Sequence, residues 1–311
     1  MLSRRRFLQN AALGTAGALV LPTLGAPTAW AAPALAAGRL VVLHTNDVHS
    51  RIEPFPEDGS RFAGLGGAAR RAALVAQVRA EHEHVLLLDS GDVFQGTPYF
   101  NLFGGKADFE VMSAMRYDFA TLGNHDFDNG VGGLVEMLPY AEFGFLSANY
   151  DVSRSALAGH VQPYAVRQFG PMRVGIFGLG IAFERLVLPE LHEGVVYRDA
   201  IGVARETVQE LRGAQRCDLV ICLSHLGYRY DGEDRVDDVT LAAAVPGLDL
   251  VLGGHTHTFL DEPTRIEHAG ARPTLVHQVG WAGIRLGRID VPFAASGEAL
   301  SAAGGHYDLV A

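Results

Sequence analysis

The chain has 311 residues, enough for one large domain, with 48% hydrophobic and 19% charged residues and 37 glycines, which fits an α/β protein with many tight turns and argues against a disordered chain. Its formal charge of −10, with no basic stripe, argues against a nucleic-acid polymer or an anionic membrane surface as partner. An anionic small molecule would need local positive charge, for which bound metal is the available source.

At the N-terminus, Ser3, Arg4, Arg5, Arg6, Phe7 and Leu8 precede a weakly apolar stretch to Leu21, and small-residue sites follow at 29–31 and 34–36. The segment resembles the twin-arginine export signal of bacteria, and Gly14, Gly17 and Pro22 argue against a stable anchor helix. The expectation is a signal over 1–36, cleaved after residue 31 or 36, and a catalytic domain over 37–311. The mature protein would be periplasmic or secreted, without a membrane span. Losing three arginines and no acid would take its charge from −10 to −13.

Residues 40–43 read as a short buried strand running into His44, Asp47 and His49. At i and i+2 of an extended chain end, Asp47 and His49 project to one side and can grip one ion. Residues 64–80 place Leu65, Ala69, Ala72, Ala73 and Ala76 at helical spacing, a first helix packed on a sheet. A second buried strand, 85–88, ends in Asp89, Gly91 and Asp92. Two carboxylates there are costly unless paired or bound to metal. Gly91 lets the chain turn just before Asp92, so Asp92 is the candidate ligand and Asp89 a structural residue. A helix at 109–115 and a strand at 119–122 lead into the turn 121–130, where five polar residues crowd together. There Asn124 offers a neutral oxygen, His125 a group that exchanges a proton near neutral pH, and Asp128 a carboxylate able to orient that imidazole. Taken alone, the same residues suit an ordinary turn equally well.

Asn149 closes another strand and reads as a turn residue. Residues 165–177 alternate around Gly170 and Pro171 as a hairpin, and 200–212 form an amphipathic helix. Cys217 and Cys222 bracket a strand-like run that would put them on opposite faces, so both read as packing residues without a bridge. The strand 218–223 ends in Ser224, His225 and Gly227. The strand 248–252 ends in Gly253, Gly254, His255 and His257, where the glycines give a ligand room to approach the backbone. Strands at 274–279, 287–291 and 306–310 carry no evident chemistry. His44, His82, His84, His160, His192, His268, His277 and His306 are read as structural.

Buried strands thus end five times in polar donors, which is where an open α/β sheet places its ligand. Seven nitrogen and oxygen donors without a competing cysteine set point to a two-metal centre. The order Asp47-x-His49, Gly91-Asp92, Gly123-Asn124-His125-Asp126, His225 and Gly253-Gly254-His255-x-His257 resembles the calcineurin-like metallophosphatases. More narrowly, residues 44–49, 123–128 and 254–257 look like the catalytic domain of 5′-nucleotidases, and the resemblance covers about residues 39–292.

That resemblance implies a four-layer αββα sandwich, two mixed sheets flanked by helices. It implies one divalent ion held by Asp47, His49, Asp92 and His257 and another by Asp92, Asn124, His225 and His255, with Asp92 bridging. A metal-bound hydroxide would attack phosphorus in line, and His125, oriented by Asp128, would assist the phosphoryl group or leaving oxygen. Carboxylate, imidazole and amide donors suit Zn, Mn or Fe better than Mg. Asp126 stands where many relatives carry glutamate, at a position read as structural. Nucleoside 5′-monophosphates are the expected substrates. UDP-sugar, 2′,3′-cyclic-nucleotide and sulfur-ester hydrolysis share every ligand and stay open. A non-catalytic metal-binding subunit is the other class, and the complete donor set argues against it. Secreted 5′-nucleotidases usually carry a second, C-terminal domain that sandwiches the base. The expectation here is that this domain is absent, so that base recognition falls to loops 95–106 and 228–238 or to a separately encoded partner domain, unless the enzyme is less selective.

Overall fold

Strands buried on both faces read as continuous apolar runs, because each side chain needs an apolar neighbour whichever way it points. The computed structural model, which describes residues 36–232 and 235–309, shows where those faces go. The expected leader up to residue 35 lies outside the described residues. In chain order the elements are β1 (Gly38–Thr45), α1 (Ala68–Glu81), β2 (His84–Asp89), α2 (Pro98–Phe103), α3 (Lys106–Ala114), β3 (Phe119–Ala120), α4 (Gly130–Met137), β4 (Gly144–Leu146), β5 (Tyr150–Asp151), β6 (Val161–Gln162), β7 (Tyr164–Phe169), β8 (Met172–Gly180), β9 (Val196–Tyr197), α5 (Ala200–Arg212), β10 (Leu219–His225), α6 (Asp238–Ala244), β11 (Leu250–Leu252), β12 (Thr264–Ile266), β13 (Thr274–His277), β14 (Arg285–Phe293) and β15 (Ala303–Asp308).

Among the described residues, one sheet runs β15-β14-β1-β2-β3-β4-β6, a second β12-β13-β11-β10-β8-β7, and β5 pairs with β9 apart from both. In the first sheet β1, β2, β3, β4 and β6 are parallel, with β14 and β15 added antiparallel. In the second, β8, β10, β11 and β13 are parallel between antiparallel edges β7 and β12. Both sheets are therefore mixed, as expected.

Alternation along single strands separates the layers. Leu40 and Val42 of β1 and Leu86 and Leu88 of β2 meet Leu219, Ile221 and Leu223 of β10 in a core between the sheets. Val41, Leu43 and Leu87 face the other way, onto Val75 and Val78 of α1 and Phe109 and Met112 of α3. Val220 and Cys222 face outward from the second sheet onto Val203, Val208 and Leu211 of α5 and Leu241 of α6. The result is helix, sheet, sheet, helix. Each fully buried Leu or Val contributes roughly 1.5–3 kcal/mol relative to exposure.

Several boundaries differ from the sequence reading. The first helix starts at Ala68 rather than residue 64, because Gly64, Gly66 and Gly67 hold positive φ, which a right-handed helix cannot contain. The helix expected from residue 109 is α3, which begins at Lys106. The strand expected over 119–122 is paired as a strand only at Phe119 and Ala120, although the Thr121 N–H still donates to the Asp89 carbonyl. Cys217 precedes β10, so strand alternation does not reach it; both cysteines are free and buried in the same outer core rather than on opposite faces. The 165–177 hairpin and the 200–212 helix stand as read. Asn149 clamps the end of β8, donating to the Gly180 carbonyl and accepting the Gly180 N–H.

Candidate metal centre and catalytic site

The parallel strands β1, β2 and β3 of one sheet and β10 and β11 of the other all point their C-terminal ends at one edge of the sandwich, and the seven candidate donors follow those ends. Asp47, His49 and His257 bring ligand atoms within 4.8 Å of one another, and so do Asp92, His225 and His255. The two sets touch. Asp92 Oδ2 is 3.0 Å from His225 Nε2 and 4.0 Å from His49 Nε2, while Asp47 Oδ1 is 3.4 Å from His257 Nε2 and 4.0 Å from His225 Nε2.

The donors do not converge by strand alternation, contrary to the i, i+2 reading of Asp47 and His49. Asp47, His49, Asp92, His255 and His257 all have positive φ, so each chain end folds back through left-handed turns. Two glycines permit the crowding. A Cβ on Gly123 would lie 2.1 Å from Asp92 Oδ1, and one on Gly254 would press on His225 Nδ1 at 2.9 Å and the Ser90 carbonyl at 3.0 Å.

Hydrogen bonds fix which ring nitrogens face the site. His49 Nδ1–H donates to the Phe94 carbonyl at 3.0 Å and His225 Nδ1–H to the Ser90 carbonyl at 2.7 Å. Each Nε2 is left as a lone-pair donor, the tautomer a metal needs. Asp47 is held by the His255 N–H at 3.0 Å and by Asn46 Nδ2 at 2.6 Å. Asn46 in turn donates to the Gly280 carbonyl and accepts the Val279 N–H, joining this turn to the end of β13. Asp126 is a structural joint. Its carboxylate accepts the N–H groups of Asp92, Val93, Phe94 and Gly123, fastening the loop after β2 to the loop after β3. Asp89 is internal too, accepting the Thr45 hydroxyl and the Gly91 N–H.

Burial would raise the Asp92 carboxyl, but when no cation is bound a proton on His225 outweighs it and keeps Asp92 ionised, a part that a cation would take over from the ligating tautomer. At Asp126, burial and the neighbouring Asp92 charge outweigh the N–H donors and His225 and push the carboxyl up to about 7. The donor set fits divalent cations. Asn124 Oδ1 and His225 Nε2 are buried without a hydrogen-bond partner, and His49 Nε2 and His257 Nε2 face each other at 3.0 Å. Nitrogen and oxygen lone pairs gathered this closely repel one another unless a cation lies among them.

At the rim, His125 Nδ1 lies 2.9 Å from Asp128 Oδ2, with the His125 side chain 38% exposed. The hydrogen bond to Asp128 raises the imidazole pKa, burial opposes it, and the charge of Asp92 adds to the rise. The His125 N–H donates to Asp92 Oδ1 at 2.8 Å, so the rim and the donor clusters are rigidly linked. The structure thus brings Asp47, His49, Asp92, His225, His255, His257, His125 and Asp128 together, with Asn124 next to His125 in the same loop. Sequence reasoning missed Asn46, the carbonyls of Ser90 and Phe94, and Trp281, whose ring is parallel to that of His257.

Residues 40–259 match the family model described as calcineurin-like phosphoesterase. The snake venom 5′-nucleotidase of Crotalus adamanteus is 36% identical over 88% of this chain and 49% of its own length. The 5′-nucleotidase of Homo sapiens is 39% identical over 84% of this chain and 45% of its own. Among solved structures, the 5′-nucleotidase precursor from Thermus thermophilus aligns with a TM-score of 0.77 and 38% identity, covering 87% of this chain and 54% of that one. The chain spans about half the length of the curated relatives it matches.

Proposed function

This chain belongs to the calcineurin-like phosphoesterase family, and from that premise we propose that it hydrolyses phosphomonoesters at a two-metal centre, with nucleoside 5′-monophosphates as the substrate class. The observation that carries the reading is the pair of donor clusters meeting at Asp92, with the His125–Asp128 pair at their rim. The substrate class is supported by relatives named as 5′-nucleotidases.

One ion would be held by Asp47, His49, Asp92 and His257 and the other by Asp92, Asn124, His225 and His255. When bound, two divalent cations supply Lewis acidity toward phosphoryl oxygens and make a water more acidic. The chain's own residues do the rest. Phe94 and Ser90 keep the His49 and His225 rings in the ligating tautomer. His125 gives its Nδ1–H to Asp128, which leaves Nε2 to exchange a proton with the ester. The hydrogen bond to Asp128 raises the His125 pKa, which favours the protonated ring whose Nε2 can pass a proton to the leaving oxygen.

Export through the twin-arginine route belongs to the same reading. It rests on the pattern from Ser3 to Leu8, and among the described residues no helix is long and apolar enough to cross a membrane. The deciding experiment is phosphate release by the protein reconstituted with Mn or Zn, on AMP, UDP-glucose, a 2′,3′-cyclic nucleotide and an aryl phosphate. Preference for AMP is expected. No release from any of the four would overturn the reading, and preference for UDP-glucose or the cyclic ester would move the substrate class.

A further inference from the structure

The His257 side of the centre carries an aromatic surface that the mechanism does not use. The Trp281 ring lies parallel to His257, 5.6 Å between centroids and 5° between planes. Phe55 and Phe62 meet Trp281 edge-on at 5.8 and 6.0 Å, and Phe259 stacks on Phe62 at 6.4 Å. These rings come from three separated loops, yet all four remain partly exposed, whereas Phe94, Phe109 and Phe127 are fully buried in the core. Two cations sit on the same surface: the Arg51 guanidinium is 4.3 Å over Phe55 and that of Arg61 is 4.3 Å over Phe62. Arg51 Nε is buried without a hydrogen-bond partner.

A cluster of rings that serves packing alone is placed where water is excluded. This one stays open, adjoins a candidate ligand and carries positive charge in a chain of net charge −10. We propose that Trp281, Phe55, Phe62 and Phe259 form the shelf for the leaving group, against which the nucleobase of a nucleoside monophosphate stacks while its phosphate reaches the donor clusters. Every base has a π-face, so such a shelf tolerates different bases. Arg51 and Arg61 complement the negative charge of the ester. The proposal rests on the phosphoesterase reading for the place of the phosphate, but the stacking itself is independent of turnover.

The chain has two tryptophans, Trp30 and Trp281, so in the full-length Trp30→Phe variant the intrinsic fluorescence comes from Trp281 alone. With Mn or Zn present, AMP and adenosine should quench it saturably and ribose 5-phosphate should not. Phe62→Leu should weaken AMP binding and raise its KM about tenfold, leaving kcat and ribose 5-phosphate hydrolysis within about twofold. Absence of quenching by both AMP and adenosine would overturn the shelf, whatever is hydrolysed. Equal losses on AMP and ribose 5-phosphate would also overturn it, by showing that the rings merely support His257. Quenching without phosphate release from any ester would leave the shelf standing and sink the phosphoesterase reading instead.

Discussion

Asp126 is where the architecture of the site can be tested without touching a candidate ligand. One carboxylate oxygen accepts the N–H groups of Asp92 at 3.1 Å and Gly123 at 2.8 Å, the other those of Val93 at 3.0 Å and Phe94 at 3.2 Å. Asp126→Asn keeps the shape and replaces one oxygen with an NH2 group. Whichever way the amide turns, two N–H groups then face another donor. A buried donor left unsatisfied costs about 1–3 kcal/mol, so the gross penalty is roughly 2–6 kcal/mol. One term opposes it. Burial and Asp92 already disfavour the ionised Asp126 carboxylate, and the neutral amide relieves both. The lower part of the range is therefore expected, about 2–3 kcal/mol, or a melting temperature lower by roughly 5–10 °C for a domain of this size. Thermal and urea unfolding of the metal-free protein at pH 8 measure it. A variant within about 0.5 kcal/mol of the wild type would refute the role of Asp126 as the joint between the two loops.

His125→Ala should leave metal content unchanged and lower turnover on the order of 10²–10³-fold; lost metal would mean that His125 is a ligand instead. Asp92→Asn should reduce the content of both metals, measured by atomic emission, and two metals retained at full rate would sink the shared assignment. His44 and His277 lie buried together, ring nitrogens 2.9 Å apart, and burial lowers both pKa values, that of His277 from 6.5 to about 4. The unfolded chain then binds more protons than the folded one below pH ~6.5, so the pair's contribution is complete above that pH and lost as pH falls toward 4, by about 3 kcal/mol for His277. The urea midpoint of the wild type should accordingly fall more between pH 7.5 and 4.5 than that of His277→Gln, and parallel falls would refute it.

The donors were legible because a metal centre in an α/β sandwich puts polar residues where apolar runs stop, and a run such as 219–223 followed by His225 shows that contrast in one dimension. What holds the donors was not. The carbonyls of Ser90 and Phe94 orient two imidazoles, and a backbone carbonyl has no signature in a sequence. Trp281 reaches His257 only because β13 returns the chain to the same edge, a pairing that periodicity does not encode. The continuous runs of β1, β2 and β10 implied burial on both faces, yet not which strand joins which sheet. The helices α2 and α6 span six and seven residues, too few turns for a 3.6-residue pattern to stand out.

Left-handed backbone at five of the seven candidate ligands has an energetic consequence that can be isolated. An L-residue there costs about 1–2 kcal/mol, and the strain persists because hydrogen bonds such as Asn46 to Asp47 and His49 to Phe94 hold the turns. His257, at φ 53° and only partly buried, separates backbone from side chain most cleanly. Ala and Gly there remove the same imidazole and the same contacts to Asp47 and Trp281, and differ only at Cβ. In ordinary backbone Gly is the less stable by roughly 0.5–1 kcal/mol, because it loses more freedom on folding. At positive φ the order reverses, since Gly carries no Cβ to clash. The metal-free His257→Gly variant should therefore unfold at higher urea concentration than His257→Ala, by about 1 kcal/mol in the derived stability. Ala equal to or more stable than Gly would mean that the turn carries no strain, and that the donors are aimed by their hydrogen bonds alone.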